Sequence, residues 1–594
     1  MEKKAKIVFE VSWEVCNKVG GIHTVLSSKA AQMVANYGEH YYLIGPYFGP
    51  QSVHEFSEEL PKEFCKDAFE ELKKEGIICH FGKWSIEGSP SVILIDFDAV
   101  KNKINDIKRY LWDHFQVDSM RAGYDYDEPV AWSFAVGKVL EVLTRCLATR
   151  DIVAQFHEWL SGAGLLYLKS IKAPIATVFT THATVLGRSI AMSGADLYTL
   201  WDNIDADKEA YGHFVESKHM IEKQSALNAS IFTTVSEITS MEAERLLGRK
   251  ADVLVLNGLD IDKFPTFEEI SIKHKAYREK IREFIISYFF PYYTFDTRES
   301  LLFFTAARYE FENKGIDIMI EALSKLNESM KKSNSQKTVI AFFFIPAAVK
   351  HINQSVLENK TYYQYVRESF EDEKEDIENN IMRALVTDTK VNELSLFDAG
   401  FMHDIKQKLK RFRRQGLPPL CTHELQYQND AILSAFQRAG LQNKPQDPVK
   451  VIFYPMYLSG ADNLLNLTYY ETMQGSHLGI FPSYYEPWGY TPLEAGALGV
   501  SSITSDVAGF GRFFCNECVQ GKSPGIFVLQ RLKSTKEQSI QELANILLEY
   551  QALSKQDRTQ NKLQARRIAQ TCDWRSFIDN YVQAHNLAIK KQFQ

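Results

Sequence analysis

The chain has 594 residues, 45% of them apolar and 24% charged, with a net charge of −7. That length exceeds one ordinary hydrophobic core, so two domains and an insertion are expected. The charge balance lacks the basic field that a nucleic-acid surface needs, and a 12% aromatic content fits core filling as readily as sugar or base stacking. The basic start, MEKKAKIVFEVSWE, has acidic residues in its apolar run and no small-residue cleavage site, so no secretory signal is expected. The run VIAFFFI (339–345) is too short for a membrane span and ends at Pro346. Eight scattered cysteines suit reduced thiols in a cytoplasmic protein. Cys515 and Cys518 form a lone CxxC; a structural zinc site needs four ligands, so neither metal nor cofactor is expected.

In chain order, KIVFEV (6–11) reads as a buried strand. IHTVLSSKAAQMVANYG (22–38) reads as a helix, with Ile22, Val25, Leu26, Met33 and Val34 at helical spacing and Gly38 as its stop. HYYLIGPYF, SVILIDF, DIVAQFH, IATVFTTH, IFTTVS and VLVLNG repeat the pattern of strand, loop and helix. Near-continuous apolar strands separated by helices predict a parallel, doubly wound sheet. A second series starts at LLFFTAARYE (301–310), followed by a helix with Ile316, Met319, Ile320 and Leu323 on one face, then KTVIAFFFI, KVIFYP, LGIFPS and SSITSDV. The expected fold is therefore α/β, with two Rossmann-like units facing across a deep cleft: residues 1–262 and 263–574. Residues 355–415 break the rhythm with an acidic and then a basic stretch and no Pro or Gly from Thr361 to Asp398. They read as long inserted helices, either a solvated face or a subunit interface. Residues 575–594 read as a last helix that packs back on the first unit.

Ligands of such sheets bind beyond the carboxyl ends of the strands. The candidate residues lie there. Lys18, Gly20 and Gly21 lie between the first strand and first helix, where glycines admit a ligand and the helix N-terminus favours phosphate. Arg308 and Lys314 flank another strand–helix junction and could clamp a diphosphate, or be two surface cations. His157 and His182 each end an apolar strand, which puts both at the rim of the expected cleft, with Arg188 close by. In SYYEPWGYTPLEAG, Thr491-Pro492-Leu493-Glu494 has the form of a capping box, with Thr at the N-cap and Glu at N3. That would leave backbone N–H groups at the helix start as an anion site. Glu486, in the loop before, has no capping role and is the better candidate for chemistry. Tyr485, Trp488 and Tyr490 could stack on a base or sugar.

EVCNKVGGIHTVL, FHEWLSG, FTTHATVLGR, IFTTVSEIT, LNGLDI, ARYEFENKG, PPLCTHEL and PSYYEPWGYTPLEAG occur in that order, from about residue 7 to about 512. Together they resemble the glycogen synthase family of the animal and fungal type. The starch synthase family of bacteria and plants is less similar, since its glycine motif reads KTGG where this chain has KVGG. The resemblance implies a GT-B fold and a retaining glucosyltransferase that uses UDP-glucose to extend an α-1,4-glucan such as glycogen, without a metal. It implies that Arg308 and Lys314 neutralise the donor diphosphate. It makes Thr491 a backbone donor to phosphate and gives Glu494 the ribose. Glu486 becomes the essential carboxylate near the transferred glucose. His182 and Arg188 reach that sugar and the phosphate, while Tyr469 and Tyr490 lie near the uracil. Lys18, Gly20 and Gly21 belong to the loop that closes on the donor, and Asn257 of LNGLDI and His157 of FHEWLSG are counted as substrate-binding.

The family also carries an Arg-rich helix for glucose-6-phosphate. Here LSKQDRTQNKLQARRIAQTCDW keeps Arg558, Lys562, Arg566 and Arg567 as a regulatory sugar-phosphate site, but Gln and Asn dilute it, so weak or no activation is expected. The chain starts just before its first strand and ends soon after its last helix, so the family's phosphorylated tails are not expected. The inserted helices fall where the family builds tetramer contacts, so a homo-tetramer is expected. No nucleic-acid or membrane partner is expected. Two alternatives stand: a silent glucan-binding scaffold of the same fold, which the intact Arg308, Lys314, Glu486 and Glu494 oppose, and a related transferase with another donor such as ADP-glucose.

Overall fold

The computed structural model describes residues 5–49, 54–147, 149–388, 390–427, 429–515 and 524–593. The strands of the first half are β1 (Ile7–Val11), β2 (Tyr41–Pro46), β3 (Phe56–Glu58), β4 (Ile78–Trp84), β5 (Ser91–Asp96), β6 (Ile152–His157), β7 (Ala176–Thr181), β8 (Ile231–Thr234) and β9 (Val253–Leu254). Those of the second are β10 (Ser300–Ala306), β11 (Thr338–Phe344), β12 (Val349–Ile352), β13 (His423–Leu425), β14 (Val449–Tyr454), β15 (Leu478–Ile480), β16 (Ser501–Ser505) and β17 (Ile526–Leu529).

One sheet runs β3-β4-β5-β2-β1-β6-β7-β8-β9 and the other β14-β11-β10-β15-β16-β17, with β12 and β13 forming a separate ribbon. In the second sheet the six parallel strands, taken in chain order, lie third-second-first-fourth-fifth-sixth, and the first sheet repeats that order with a seventh parallel strand, β9, at its end, which is the doubly wound order. The first sheet is not wholly parallel as expected. β3, β4 and β5 pair antiparallel at its edge, where a ribbon needs no crossover helix.

The strands are apolar on both faces because each sheet is covered on both. Ile7, Phe9 and Val11 of β1 join one core with Ile44, Ile93, Phe156 and Phe179, while Val8 joins the opposite core with Leu43, Leu94, Val153 and Val178. Each such side chain removed from water stabilises the fold by about 1.5–3 kcal/mol. Glu10 shares the register of Val8, so β1 turns a carboxylate into that second core. The face is covered by the helix Gly21–Tyr37 and by the last helix, Trp574–Phe593, which crosses back through Tyr581, Ala584 and Ala588. In the second unit, Leu301 and Phe303 of β10 face one core and Leu302 and Phe304 the other.

Tyr484 and Tyr485, in the loop after β15, hydrogen-bond Asp196 and Glu242, in segments that follow β7 and β8. The carboxyl ends of the two sheets therefore face one another, which is the GT-B arrangement. The insertion consists chiefly of the helices Gln354–Asp372, Lys374–Val386 and Ala399–Phe412, beside the β12–β13 ribbon. Among the described residues no helix is long and apolar enough to cross a membrane, and no cluster of three or more His, Cys, Asp or Glu could hold a metal. The Cys515–Cys518 side chains lie outside the described residues.

Candidate active site

Both chain reversals of the doubly wound sheets bring candidate residues to the same region. In the second unit the reversal lies between β10 and β15. The loop after β10 ends at Gly315, whose φ of +65° and missing side chain let it lie against Pro482; a Cβ there would sit 2.1 Å from the Pro482 carbonyl oxygen. The two loops are also joined by backbone bonds from the N–H groups of Tyr484 (2.7 Å) and Tyr485 (3.3 Å) to the Asn313 carbonyl. This docking brings Lys314 Nζ within 2.6 Å of Glu486 Oε2. The Glu486 backbone is fixed in turn by a bond from Gly509 N–H to its carbonyl (3.0 Å). Arg308 projects into solvent and pairs with Glu310 at 3.0 Å.

The helix that follows runs from Tyr490 to Ala497, and its N-cap is Gly489, at φ +105°, with no side-chain cap. The expected capping box is absent. The helix starts one residue before Thr491, so Thr491 lies inside it and Glu494 is too far along to reach back. Instead Glu494 accepts hydrogen bonds from Tyr469 (3.0 Å) and Tyr470 (2.9 Å), both at the start of the preceding helix. Burial pushes the Glu494 carboxyl up to about 7, against those two bonds. Tyr485 and Trp488 do not offer stacking surfaces. Tyr485 is buried with its hydroxyl on Glu242 at 2.9 Å, and Trp488 is buried against Phe510 and Phe577. Tyr490 is partly buried, and its hydroxyl has no partner among the described residues.

In the first unit the reversal lies between β1 and β6. The loop after β1 carries the exposed Lys18, Gly20 and Gly21. The helix start expected to await phosphate is occupied by a carboxylate of the chain itself: Glu14 Oε2 accepts from the N–H groups of Gly20 (2.8 Å) and His23 (2.9 Å). An incoming anion would have to displace Glu14.

His157 is not at the rim. It is the last residue of β6 and lies in the sealed core, bonded through Nδ1 to His182 Nε2 (2.9 Å) and through Nε2 to Glu10 Oε1 (2.6 Å). His182 follows β7 directly and is the outer member of this pair. Its N–H, and that of Ala183, bond Glu158 at 2.7 and 3.2 Å. Thr184 caps the helix Val185–Met192, which carries the exposed Arg188. Three buried carboxylates gather under this helix start. Glu158 takes the two N–H groups just named, Glu222 takes that of Val185 (2.9 Å), and Glu242 takes the Thr184 hydroxyl and that of Tyr485. Burial raises all three, Glu242 to about 7, and Arg188 acts to lower each. Asn257 is buried, with its Oδ1 unpartnered among the described residues.

Arg558, Lys562 and Arg566 lie apart from this region, on the helix Lys555–Thr571, which lines a cavity of about 750 Å³. Its other wall, the helix Phe267–Phe289, supplies Lys275, Arg278 and Arg282, and Lys337 joins from the strand β11 side. Glu279 and Glu299 are the carboxylates on its wall. Burial, with Arg282 close by, holds the Arg278 guanidinium down to about 10, and burial beside Arg278 and Arg558 holds Lys562 well below the usual lysine range. Arg567 is exposed and lines a neighbouring cavity. Sequence reasoning missed Arg278 and its neighbours because nearly three hundred residues separate them from the helix they face. It missed Glu10 and the three-carboxylate cluster because glutamates in an apolar run carry no periodic signal.

A family model described as glycogen synthase matches residues 10–594. The liver glycogen (starch) synthase of Mus musculus is 36% identical over 589 residues, covering 99% of this chain and 84% of that one. The glycogen (starch) synthase of Caenorhabditis elegans is 35% identical, covering 99% and 89%. The catalytic domain of starch synthase IV from Arabidopsis thaliana superposes with a TM-score of 0.48 at 13% identity, covering 99% of this chain and 100% of that one.

Proposed function

The chain belongs to the glycogen synthase family, and from that premise we propose that this glucosyltransferase takes its glucose from UDP-glucose and adds it, with retention, to the non-reducing end of an α-1,4-glucan. The observation that carries the reading is the Lys314–Glu486 pair at 2.6 Å, held where the β10 and β15 loops dock. As UDP leaves, negative charge grows on its diphosphate. Lys314, Arg308 turning from Glu310, and the uncapped N–H groups at the start of the Tyr490–Ala497 helix offset that charge. Glu486 is then released to face the sugar, whose oxocarbenium character a carboxylate stabilises. Glu494 exchanges a tyrosine hydroxyl for those of the ribose. His182 and Arg188 approach from the first unit, Lys18 and the Gly20–Gly21 turn close from above, and Asn257 offers its unpartnered oxygen. His157 acts from behind His182 and does not touch substrate.

The purified protein, incubated with glycogen and labelled UDP-glucose or ADP-glucose, should carry label into polymer with UDP-glucose preferred. Preference for ADP-glucose would reassign the donor, and incorporation from neither would leave the scaffold alternative. We further assign the 750 Å³ cationic cavity to a sugar phosphate, and the inserted helices to a homo-tetramer. The exposed Leu385 and Val386, 68% and 82% accessible, support the second assignment. Leu385→Glu with Val386→Glu should then lower the mass seen by light scattering.

A further inference from the structure

A chain of buried polar groups runs from the core of the first unit to His182. Glu10 accepts from Lys29, from the Tyr41 hydroxyl and from His157 Nε2 at 2.6 Å, and all four side chains are sealed from solvent. Lys29 lies over the ring of Tyr581, 4.3 Å from its centroid, so the last helix closes the network from behind. His157 Nδ1 meets His182 Nε2 at 2.9 Å. His182 Nδ1 has no partner among the described residues.

We propose that Glu10 and His157 are positioning residues for glucosyl transfer, fixing the tautomer in which His182 presents a bare Nδ1 acceptor to a hydroxyl of the transferred sugar. The proposal rests on the reading above that His182 faces that sugar. A carboxylate paired with Lys29 only accepts, so His157 Nε2 carries a proton. Burial lowers the affinity of the His157 ring for a second proton, and the Lys29 charge adds to this, although Glu10 partly opposes it. A neutral ring protonated at Nε2 has a lone pair at Nδ1, so the bond to His182 requires the proton to sit on His182 Nε2. Burial also disfavours a second proton on His182, with the His157 ring beside it adding to this, so its Nδ1 is left as an acceptor. Glu10 suits this role because Lys29 and the His157 bond more than offset burial and hold its carboxyl far below the usual range.

The test compares two replacements at His157 in the full chain. His157→Asn keeps an oxygen near the place of Nδ1 and can accept from His182, whereas His157→Phe conserves ring volume and accepts nothing. Expected is a fall in kcat of ~100-fold for His157→Phe and within ~10-fold for His157→Asn, with the KM for donor nearly unchanged, by analogy with carboxylates that set a histidine tautomer elsewhere. A packing role predicts the reverse order, and that order would overturn the proposal. In the wild-type enzyme, ¹⁵N spectra of labelled histidines should show His182, assigned by difference from His182→Ala, with a protonated Nε2. A protonated Nδ1 would also overturn it. His182→Ala separates the two levels: near-normal transfer there sinks the reading on which the proposal stands, while an inactive His182→Ala beside an active His157→Phe sinks the proposal alone.

Discussion

Two residues in the stretch after β15 look alike on paper and are placed quite differently by the fold. Glu494 is satisfied by two tyrosine hydroxyls and half hidden, while Glu486 meets one movable ammonium. Glu486→Gln should therefore lower transfer by on the order of 10³-fold or more, because the lost interaction acts on charge that develops only in the transition state. Stability should change by less than about 1 kcal/mol, since the pair is partly exposed. Turnover near the wild-type rate, with an unchanged melting curve, would refute the role. Glu242 gives a pH prediction of definite sign. Burial raises it from 4.5 to about 7 against bonds from Thr184 and Tyr485. Its folded value exceeds its unfolded one, so its contribution to stability is fully present below pH 4.5 and is lost as pH rises through about 7. Between about pH 5 and pH 8 the wild type should lose on the order of 1–3 kcal/mol relative to Glu242→Gln, read from denaturant midpoints of both proteins. A difference independent of pH would show that Glu242 does not titrate there.

At the scale of elements, Gly315 joins the two loops that make the site. An alanine there would need both a strained backbone and a shift of Pro482, so Gly315→Ala should destabilise the protein by about 1–3 kcal/mol. It should also lower transfer more than tenfold by moving Lys314, where an ångström of misplacement costs about 10²-fold. Full activity with normal melting would mean that the loops do not need this contact. What the sequence discloses about the elements follows from physics that is local. The core strands are legible because each is apolar on both faces, as Ile7 to Val11 and Leu301 to Phe304 are. β3 and β4 are not, since ICHFGKW, beside the short edge strand β3, is partly exposed and mixes polar with apolar positions. The capping box at Thr491 is legible but wrong, because Gly489 at φ +105° starts the helix two residues early and Glu494 finds Tyr469 and Tyr470. Lys314 and Glu486 are legible as loop residues at strand ends. Their contact, 172 positions apart, is a property of the packed sheets.

Across the whole molecule, the Arg566 side chain links the two charged regions. Arg566, on the helix lining the cationic cavity, bonds the carbonyl of Ala497, the last residue of the helix whose start faces the active site, and that of Pro265 at 3.1 Å. Gly496 of that helix packs against Ala565 and Ala569, so the two helices are in close contact. Gln and Asn dilute the helix Lys555–Thr571, which taken alone favours weak activation, but Lys275, Arg278, Arg282 and Lys337 supply from other elements what that helix lacks. Arg278 and Lys562 are half-buried and without a carboxylate partner among the described residues, so a charge on either comes at a cost. A phosphate dianion would relieve that cost and draw the two walls together. Glucose-6-phosphate at about a hundred times its Kd should then stabilise the protein by about 2.7 kcal/mol, a rise in Tm of a few degrees for domains of this size. Inorganic phosphate, lacking the sugar, should give a smaller rise, and Arg278→Ala should remove both. Because Arg566 braces Ala497, the rate of transfer should climb over the same concentration range as Tm. A Tm that rises while the rate stays flat would place a sugar-phosphate site in the cavity but cut its link to the active site, and a Tm that does not move would remove the site as well.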